Sequence, residues 1–383
     1  MKILIVGGGI GGLTAGIALR QKGLEVQVFE RAAALTEVGA GISLWPNAVK
    51  VLRKLGVGEK LLAVSATSGD FALRRADGRV LSVTPAQELE RRFGGGVVLL
   101  HRAELLAVLA ESFGGDGLHL DHACEGIEED ADGVTLRFRN GGQARGDAVI
   151  GADGLRSVVR SWLGHAARAR YSGYTAWRAV VPAGALEIRP SESWGRGRRF
   201  GITQLSQGRV YWYATANAAE SEYGRGEDAT QVLLSLFRGW HEPVDELIRA
   251  ANGRILQNDI YDHEPIAQWG RGRVTLLGDA AHAMTPNLGQ GACQAMEDAE
   301  ELAACLAEAA GNDAGSIAAG LRRYELARIG RTREIVMSSR RLGDIGQLES
   351  PGLCWLRDLA FRCTPSAVSM RGMAPVLGYE RGR

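Results

Sequence analysis

The 383-residue sequence has no excess of either charge: 45 Lys and Arg stand against 44 Asp and Glu, a net charge of +1. No field of one sign draws the chain to a polyanion, so nucleic acid is not an expected partner. Paired cysteines are also missing. Cys124, Cys293, Cys305, Cys354 and Cys363 are odd in number, scattered and without a C-x-x-C, which excludes a disulfide framework and a zinc site and points to reduced thiols in a cytoplasmic protein. His119 and His122 have H-x-x-H spacing without further ligands, so no metal site is expected. No uninterrupted apolar run approaches the roughly 20 residues of a spanning helix, so no stable membrane insertion is expected. The opening MKILIVGGGIGGLTAGIAL imitates a signal peptide, but glycines interrupt it and a second strand pattern follows directly. Internal repeats and low-complexity linkers are absent.

What the sequence has is an ordinary globular composition, 45% hydrophobic and 23% charged. Its length suits two or three packed units at about 150 residues each. Residues 3–6 (ILIV) form a short continuous apolar run, the mark of a parallel strand buried on both faces. A helix over 10–22 and a strand over 25–29 complete a βαβ unit. The segments 133–138 and 146–153 read as strands, and 102–113 as an amphipathic helix. Between about 170 and 262 the pattern changes to alternating strands (YTAWRAVVP, RRFGITQL, GRVYWYAT) with two short helical stretches. From 273, VTLLGDAAH returns to the buried-strand pattern, and long helices follow over 290–309 and about 315–347. The expected fold is α/β: a Rossmann-like nucleotide domain in 1–169 and 266–347, interrupted by a β-rich substrate domain in 170–265, with long C-terminal helices and an extension at 348–383.

Gly7, Gly9 and Gly12 fit G-x-G-x-x-G between strand and helix: a tight turn, backbone approach to a pyrophosphate, and close helix–strand packing. Phosphates belong at the helix amino end, where unpaired N–H groups and the dipole point. Glu30, 18 residues past Gly12 at the tip of the second strand, is placed to accept from a ribose diol. The fingerprint does not separate NAD from FAD. Two further segments bear on that choice. GADGLRSVVR (151–160) sets Asp153-Gly154 after a strand, and RVTLLGDAAHAMTPNLGQGACQAMEDAEELA (273–303) sets Gly278-Asp279 at a strand end before Pro286, Gly289, Gly291 and a helix. A carboxylate at a strand tip suits sugar or ribityl hydroxyls. Either aspartate taken singly also reads as a helix N-cap.

Together these marks resemble the single-component, class A flavin-dependent monooxygenases, the group of p-hydroxybenzoate, salicylate and FAD-dependent urate hydroxylases. The resemblance spans about 2–345 and is carried by GGGIGG with Glu30, Arg102 in HRAELL, Asp153-Gly154, and Gly278-Asp279 with TPNLGQGA. It implies FAD as cofactor, with the ADP half at Gly7, Gly9, Gly11, Gly12, Glu30 and Arg31. Arg102 would reach the ribityl and pyrophosphate region, and Asp279 the ribityl chain. Backbone groups of Gly289, Gln290, Gly291 and Ala292, after Pro286, would face the flavin N1 and C2=O edge. Asp153 and Gly154 are implicated in both FAD and NAD(P)H binding, and Ser43 and Cys124 would lie along the cofactor.

The chemistry so implied is consumption of NADH or NADPH and molecular oxygen to hydroxylate a small electron-rich aromatic or heteroaromatic substrate through a flavin C4a-hydroperoxide. Absences agree with it: no second G-x-G-x-x-G unit, no redox cysteine pair and no W-x-W-x-I-P motif. A related epoxidase or prenyl-chain reductase, and a non-catalytic redox sensor, stay open as alternatives. By the same resemblance Arg199 and Tyr211 are the candidate catalytic residues, Arg199 pairing with an anionic or enolic oxygen and Tyr211 orienting or deprotonating a ring substituent, while the run with Arg196, Arg198 and Arg199 also reads as a solvated turn and the aromatics of VYWY as sheet core. The chain departs from the urate branch with Asn287 where those enzymes carry an acid, and has Ala283 where many relatives have proline. His282 reads as a packed support for its loop, the arginine-rich helix around 322–341 as a solvated face, and the assembly as monomer or homodimer.

Overall fold

The computed structural model describes residues 1–35, 40–166, 168–224, 228–309 and 313–381. Its centre is a five-stranded parallel sheet in the order Val274–Leu276, Ala148–Gly151, Lys2–Val6, Glu25–Phe29, Leu118–His119. Ile3 stands opposite both Ala148 and Val26, so the first strand lies in the middle with a partner on each side. Ile3, Leu4 and Ile5 are wholly buried, as the unbroken apolar run requires. Helices Ile10–Gln21, Arg102–Phe113 and Gly291–Ala307 share one apolar core with this sheet. A three-stranded antiparallel sheet, Cys124–Asp130, Gly133–Phe138 and Gln143–Gly146, contributes Ile127, Val134, Leu136 and Phe138 to the same core. His119 stacks on Phe29, and His122 lies tilted against the same ring.

The second large sheet has seven strands: Leu256–Asp262, Arg170–Pro182, Arg209–Asn217, Arg198–Leu205, Ser191–Trp194, Phe71–Arg75, Val80–Thr84. One face buries Trp177, Phe200 and Trp212 against the short helices Ala229–Leu236 and Val244–Ala250. The other face turns toward the nucleotide half. Two of its strands, Phe71–Arg75 and Val80–Thr84, come from the stretch that the sequence reading left in the 1–169 segment. Their physical anchor is remote in sequence: Leu73 and Leu81 pack with Trp194, and Phe71–Arg75 pairs in parallel with Ser191–Trp194. No local pattern of five residues could announce that.

The helix Ala314–Gly346 runs 33 residues, capped by the Asp313 carboxylate accepting from the Gly315 and Ser316 amides. It is not the solvated face that its arginines suggested. Arg328 is fully buried, donating to Asp298, Glu297 and Gln294 of the neighbouring helix, and Arg340 donates to Asp262 and Glu264. Each of these carboxylates comes from another element, which periodicity along one helix cannot show. Beyond it the segment 348–381 folds back as two helices, Pro351–Cys363 and Ser366–Leu377, against the rim of the seven-stranded sheet. Among the described residues no helix is long and apolar enough to cross a membrane.

Candidate active site

Between the parallel sheet and the open face of the seven-stranded sheet lies a cavity of about 790 Å³. That is the size of a cofactor or ligand site. On the nucleotide side the chain leaves its central strand at Val6 and turns sharply. Gly7 holds φ +110°, and a Cβ on Gly12 would overlap the Gly7 carbonyl oxygen, so the turn can close only without side chains at both positions. Gly9, the N-cap of the first helix, has open space where a Cβ would stand. Gly9 and Gly11 line the cavity, with Gly7 and Gly12 beneath them. Glu30 Oε2 accepts the Gly8 amide at 2.7 Å and its Oε1 the Ala32 amide at 2.9 Å, which fixes the carboxylate beside the turn. Arg31 follows it, exposed.

A second helix end reaches the same cavity. After the strand Val274–Leu276 come Gly278 and Asp279, then Pro286, Gly289 and Gln290, and the helix Gly291–Ala307 starts. Gly278, Asp279, Pro286, Gly289, Gln290, Gly291 and Ala292 all line the cavity. Two 12-residue and 17-residue helices thus aim their amino ends, each with unpaired N–H groups and partial positive charge, into one space. Two buried donors there, Trp45 Nε1 and Gln290 Nε2, have no hydrogen-bond partner among the described residues. Unpaired buried donors are costly unless a ligand meets them.

The remaining expected residues divide. Ser43, Arg102 and Gly154 line the cavity. Asp153 does not: its carboxylate accepts from Ser157 Oγ (2.5 Å) and the Val158 amide (2.7 Å), at the start of the short helix Val158–Trp162, and burial pushes its pKa up against those bonds. Cys124 also lies behind the wall, with burial pushing its thiol up to about 11, so it stays protonated.

Opposite the helix ends, the cavity-facing positions of the seven-stranded sheet bring Arg199 and Tyr211 together with residues that the sequence had not marked. Across the strands run Arg178, Tyr213, Gly201, Glu192 and Leu73 in direct register. Arg199 is 3% exposed, donating from Nε to Gln347 Oε1 at 3.0 Å and from Nη2 to Asn287 Oδ1 at 2.6 Å, with Glu192 Oε1 at 3.4 Å from Nη1. Tyr211 is buried and its pKa is pushed up by desolvation, with Arg178 opposing. The far wall is apolar and includes Leu89, Val97 and Leu99 together with Met373, Val376 and Leu377 of the C-terminal helix. Nothing in the local pattern of 366–377 signals this; only its return across the sheet places it here.

Behind the second helix end lies a buried polar cluster. Asp298 Oδ2 accepts the Gly278 amide (3.0 Å) and His282 Nε2 (2.6 Å), while Arg328 Nε donates to Oδ1 (2.7 Å). His282 is the packed support that the sequence reading expected. Glu297 is held by Arg328, Arg331 and Asn47. These bonds tie the Gly278-Asp279 loop to the two long helices.

Comparison with known proteins agrees with this arrangement. The model of the FAD binding domain family matches residues 1–339. Aurachin C monooxygenase/isomerase of Stigmatella aurantiaca is 43% identical over 369 residues, 96% of this chain and 95% of that protein. FAD-dependent urate hydroxylase of Klebsiella pneumoniae is 37% identical over 355 residues, 90% of each. Klebsiella pneumoniae HpxO complexed with FAD and uric acid superposes with a TM-score of 0.90 at 34% identity, covering 98% of this chain and 96% of that one. A salicylate hydroxylase substrate complex gives 0.82 at 26% identity, covering 99% and 96%. With two glycine-lined helix ends facing a buried sheet across one cavity, and with relatives of this kind along its whole length, the chain belongs to the FAD-dependent aromatic monooxygenases and has FAD as its cofactor.

Proposed function

We propose that the protein hydroxylates a small electron-rich aromatic or heteroaromatic compound, taking electrons from NADH or NADPH and oxygen from O2. The observation that carries this reading is the opposition, across one cavity, of two helix amino ends and a buried sheet face bearing Arg199, Tyr211 and Tyr213. FAD, when bound, supplies hydride acceptance and oxygen activation. The residues fit it. The Gly7–Gly12 turn leaves room at Gly9 for a pyrophosphate, Glu30 stands at the ribose position, and the unpartnered Trp45 and Gln290 donors sit where a polar ring edge would meet them.

The protein's own contributions are binding, orientation and exclusion of water. The amino end of the Gly291–Ala307 helix favours negative charge near Gly289 to Ala292. Tyr211, with its pKa raised, keeps its proton near neutral pH and orients a ring substituent as a hydrogen-bond partner rather than removing a proton. Arg199 is locked by Gln347 and Asn287, so its charge is fixed at one end of the substrate space. Asp279, exposed to the cavity, is the acceptor for the ribityl hydroxyls; Asp279→Ala should therefore lower flavin occupancy after gel filtration about tenfold, a loss of one charged hydrogen-bond acceptor. Full occupancy of that variant would remove Asp279 from the assignment.

The activity test is oxidation of NADH and NADPH by the flavin-loaded protein under 18O2 with a panel of phenols and heteroaromatics. The expected result is substrate-stimulated consumption and one labelled oxygen in the product. Consumption that no aromatic compound changes would instead favour the sensor reading.

A further inference from the structure

Glu192 is the cavity residue least explained by the fold. It stands mid-strand in Ser191–Trp194, between Gly201 and Leu73 on neighbouring strands, with 13% of its side chain exposed. Among the described residues its Oε1 is buried without a hydrogen bond; it is ion-paired with Arg199 Nη1 at 3.4 Å, while Nε and Nη2 of that guanidinium donate to Gln347 and Asn287. Backbone space has been made around it. A Cβ on Gly201 would overlap the Tyr213 ring, so glycine there lets that ring lie across the strand with its phenol facing Glu192. Asn287, which clamps Arg199, is neutral and spends its amide hydrogens on Thr285 Oγ1 and the Ser339 carbonyl. At this end of the cavity Arg199 has neutral acceptors on Nε and Nη2 and the Glu192 carboxylate on Nη1, so its charge is already paired; Glu192 has that cation and the Tyr213 phenol beside it but no hydrogen bond at Oε1 among the described residues, and Arg178 lines the same sheet face farther along.

Resting on the hydroxylase reading, we infer that Glu192 is the specificity-determining residue of the substrate site, and that it selects a neutral ring carrying an O–H or N–H donor over a ring carboxylate. A donor on the ring completes the under-bonded carboxylate. A ring carboxylate meets Glu192 as a like charge and finds the Arg199 cation already paired with it, which costs it affinity. Tyr213 acts through Glu192 as a positioning residue: its pKa is raised well above the ordinary value by burial and by Glu192, so it stays a protonated partner beside the carboxylate.

The test is equilibrium titration of the flavin-loaded protein, read by perturbation of the flavin spectrum, with 2-naphthol and 2-naphthoate as a shape-matched pair. The wild type should bind 2-naphthol about tenfold more tightly or better, the size of a charged hydrogen bond gained on one side and repulsion on the other. Glu192→Gln should weaken 2-naphthol about fivefold or more and strengthen 2-naphthoate, closing the gap. Glu192→Asp, which keeps the charge, should keep the discrimination against 2-naphthoate even if Glu192→Gln fails to fold. Equal binding of the two ligands by the wild type, no binding of 2-naphthol, or unchanged 2-naphthol affinity in Glu192→Gln would overturn the assignment. A preference for 2-naphthol without any labelled product would refute hydroxylation and leave the role of Glu192 in place, because binding is read without turnover.

Discussion

Replacing Arg328 by methionine should destabilise the protein by about 3 kcal/mol in urea unfolding, near the lower end of what is lost when one partner of a buried ion pair is removed. Arg328 has no exposed surface and donates to Asp298, Glu297 and Gln294. Methionine fills much of the volume but leaves two buried carboxylates with less compensation. The loss stays near the lower end because Glu297 keeps Arg331 and Asn47, and Asp298 keeps His282. Asp298 also accepts the Gly278 amide, so flavin occupancy should fall in parallel with stability. A variant within about 0.5 kcal/mol of wild type, the range of an ordinary surface change, would mean that the cluster contributes no net stability.

The same cluster sets a pH dependence. Burial works to raise the Asp298 pKa, but His282 and Arg328 outweigh it and hold the carboxyl down to about 2, against 3.8 for a free side chain. A group depressed in the folded state contributes its stability above the unfolded value and loses it as pH falls through the folded one. The window here runs from about pH 4 down to about 2, and the contribution lost is roughly 2 kcal/mol. In Arg328→Met that acid-dependent loss should shrink, since the guanidinium that opposes protonation is gone. Unfolding midpoints of both proteins between pH 5 and 2 would show whether the curves converge.

The largest effect on the cofactor is expected at the glycine turn, where two substitutions separate folding from binding. Gly12→Ala places a methyl group on the Gly7 carbonyl oxygen, a contact between backbone and Cβ that no side-chain rotation relieves. It should cost about 2 kcal/mol or more and remove bound flavin. Gly9→Val is the contrasting case. Gly9 has φ −76° and ψ −173°, ordinary for any residue, and among the described residues nothing beyond its own neighbouring backbone lies within 4 Å of its Cβ position. Stability should stay within about 0.5 kcal/mol of wild type. Flavin occupancy should nevertheless drop about tenfold or more, because the side chain fills the space a phosphate needs at the helix amino end. Retention of flavin by Gly9→Val would take the pyrophosphate away from this turn.

By itself the sequence determined the elements whose cause is local. The ILIV run, the glycine turn and the EVQVF strand form a βαβ unit because each needs only its own residues: burial on two faces, room for a tight turn, and alternation. Helix Arg102–Phe113 falls where its periodicity placed it, and the strand-end pair Gly278-Asp279 and the glycine-rich loop before helix Gly291–Ala307 follow their strand as the sequence pattern indicates. Asp153 shows the limit of such reasoning: a carboxylate after a strand serves a ligand or a helix start equally well, and local sequence does not show that it accepts the first amides of the helix that Ser157 caps.

Tertiary structure alone decided what depends on partners distant in the chain. The arginine-rich helix carries Arg328 inward because Glu297 and Asp298, about 30 positions away, meet it there. Glu192 and Tyr213 become wall residues only when three strands align them in register, and the C-terminal helix becomes part of the cavity only by folding back. Hydrophobic period tells which side of an element is buried. What that side meets is set by packing between elements, and the polar groups that pair across such contacts leave no local trace in sequence.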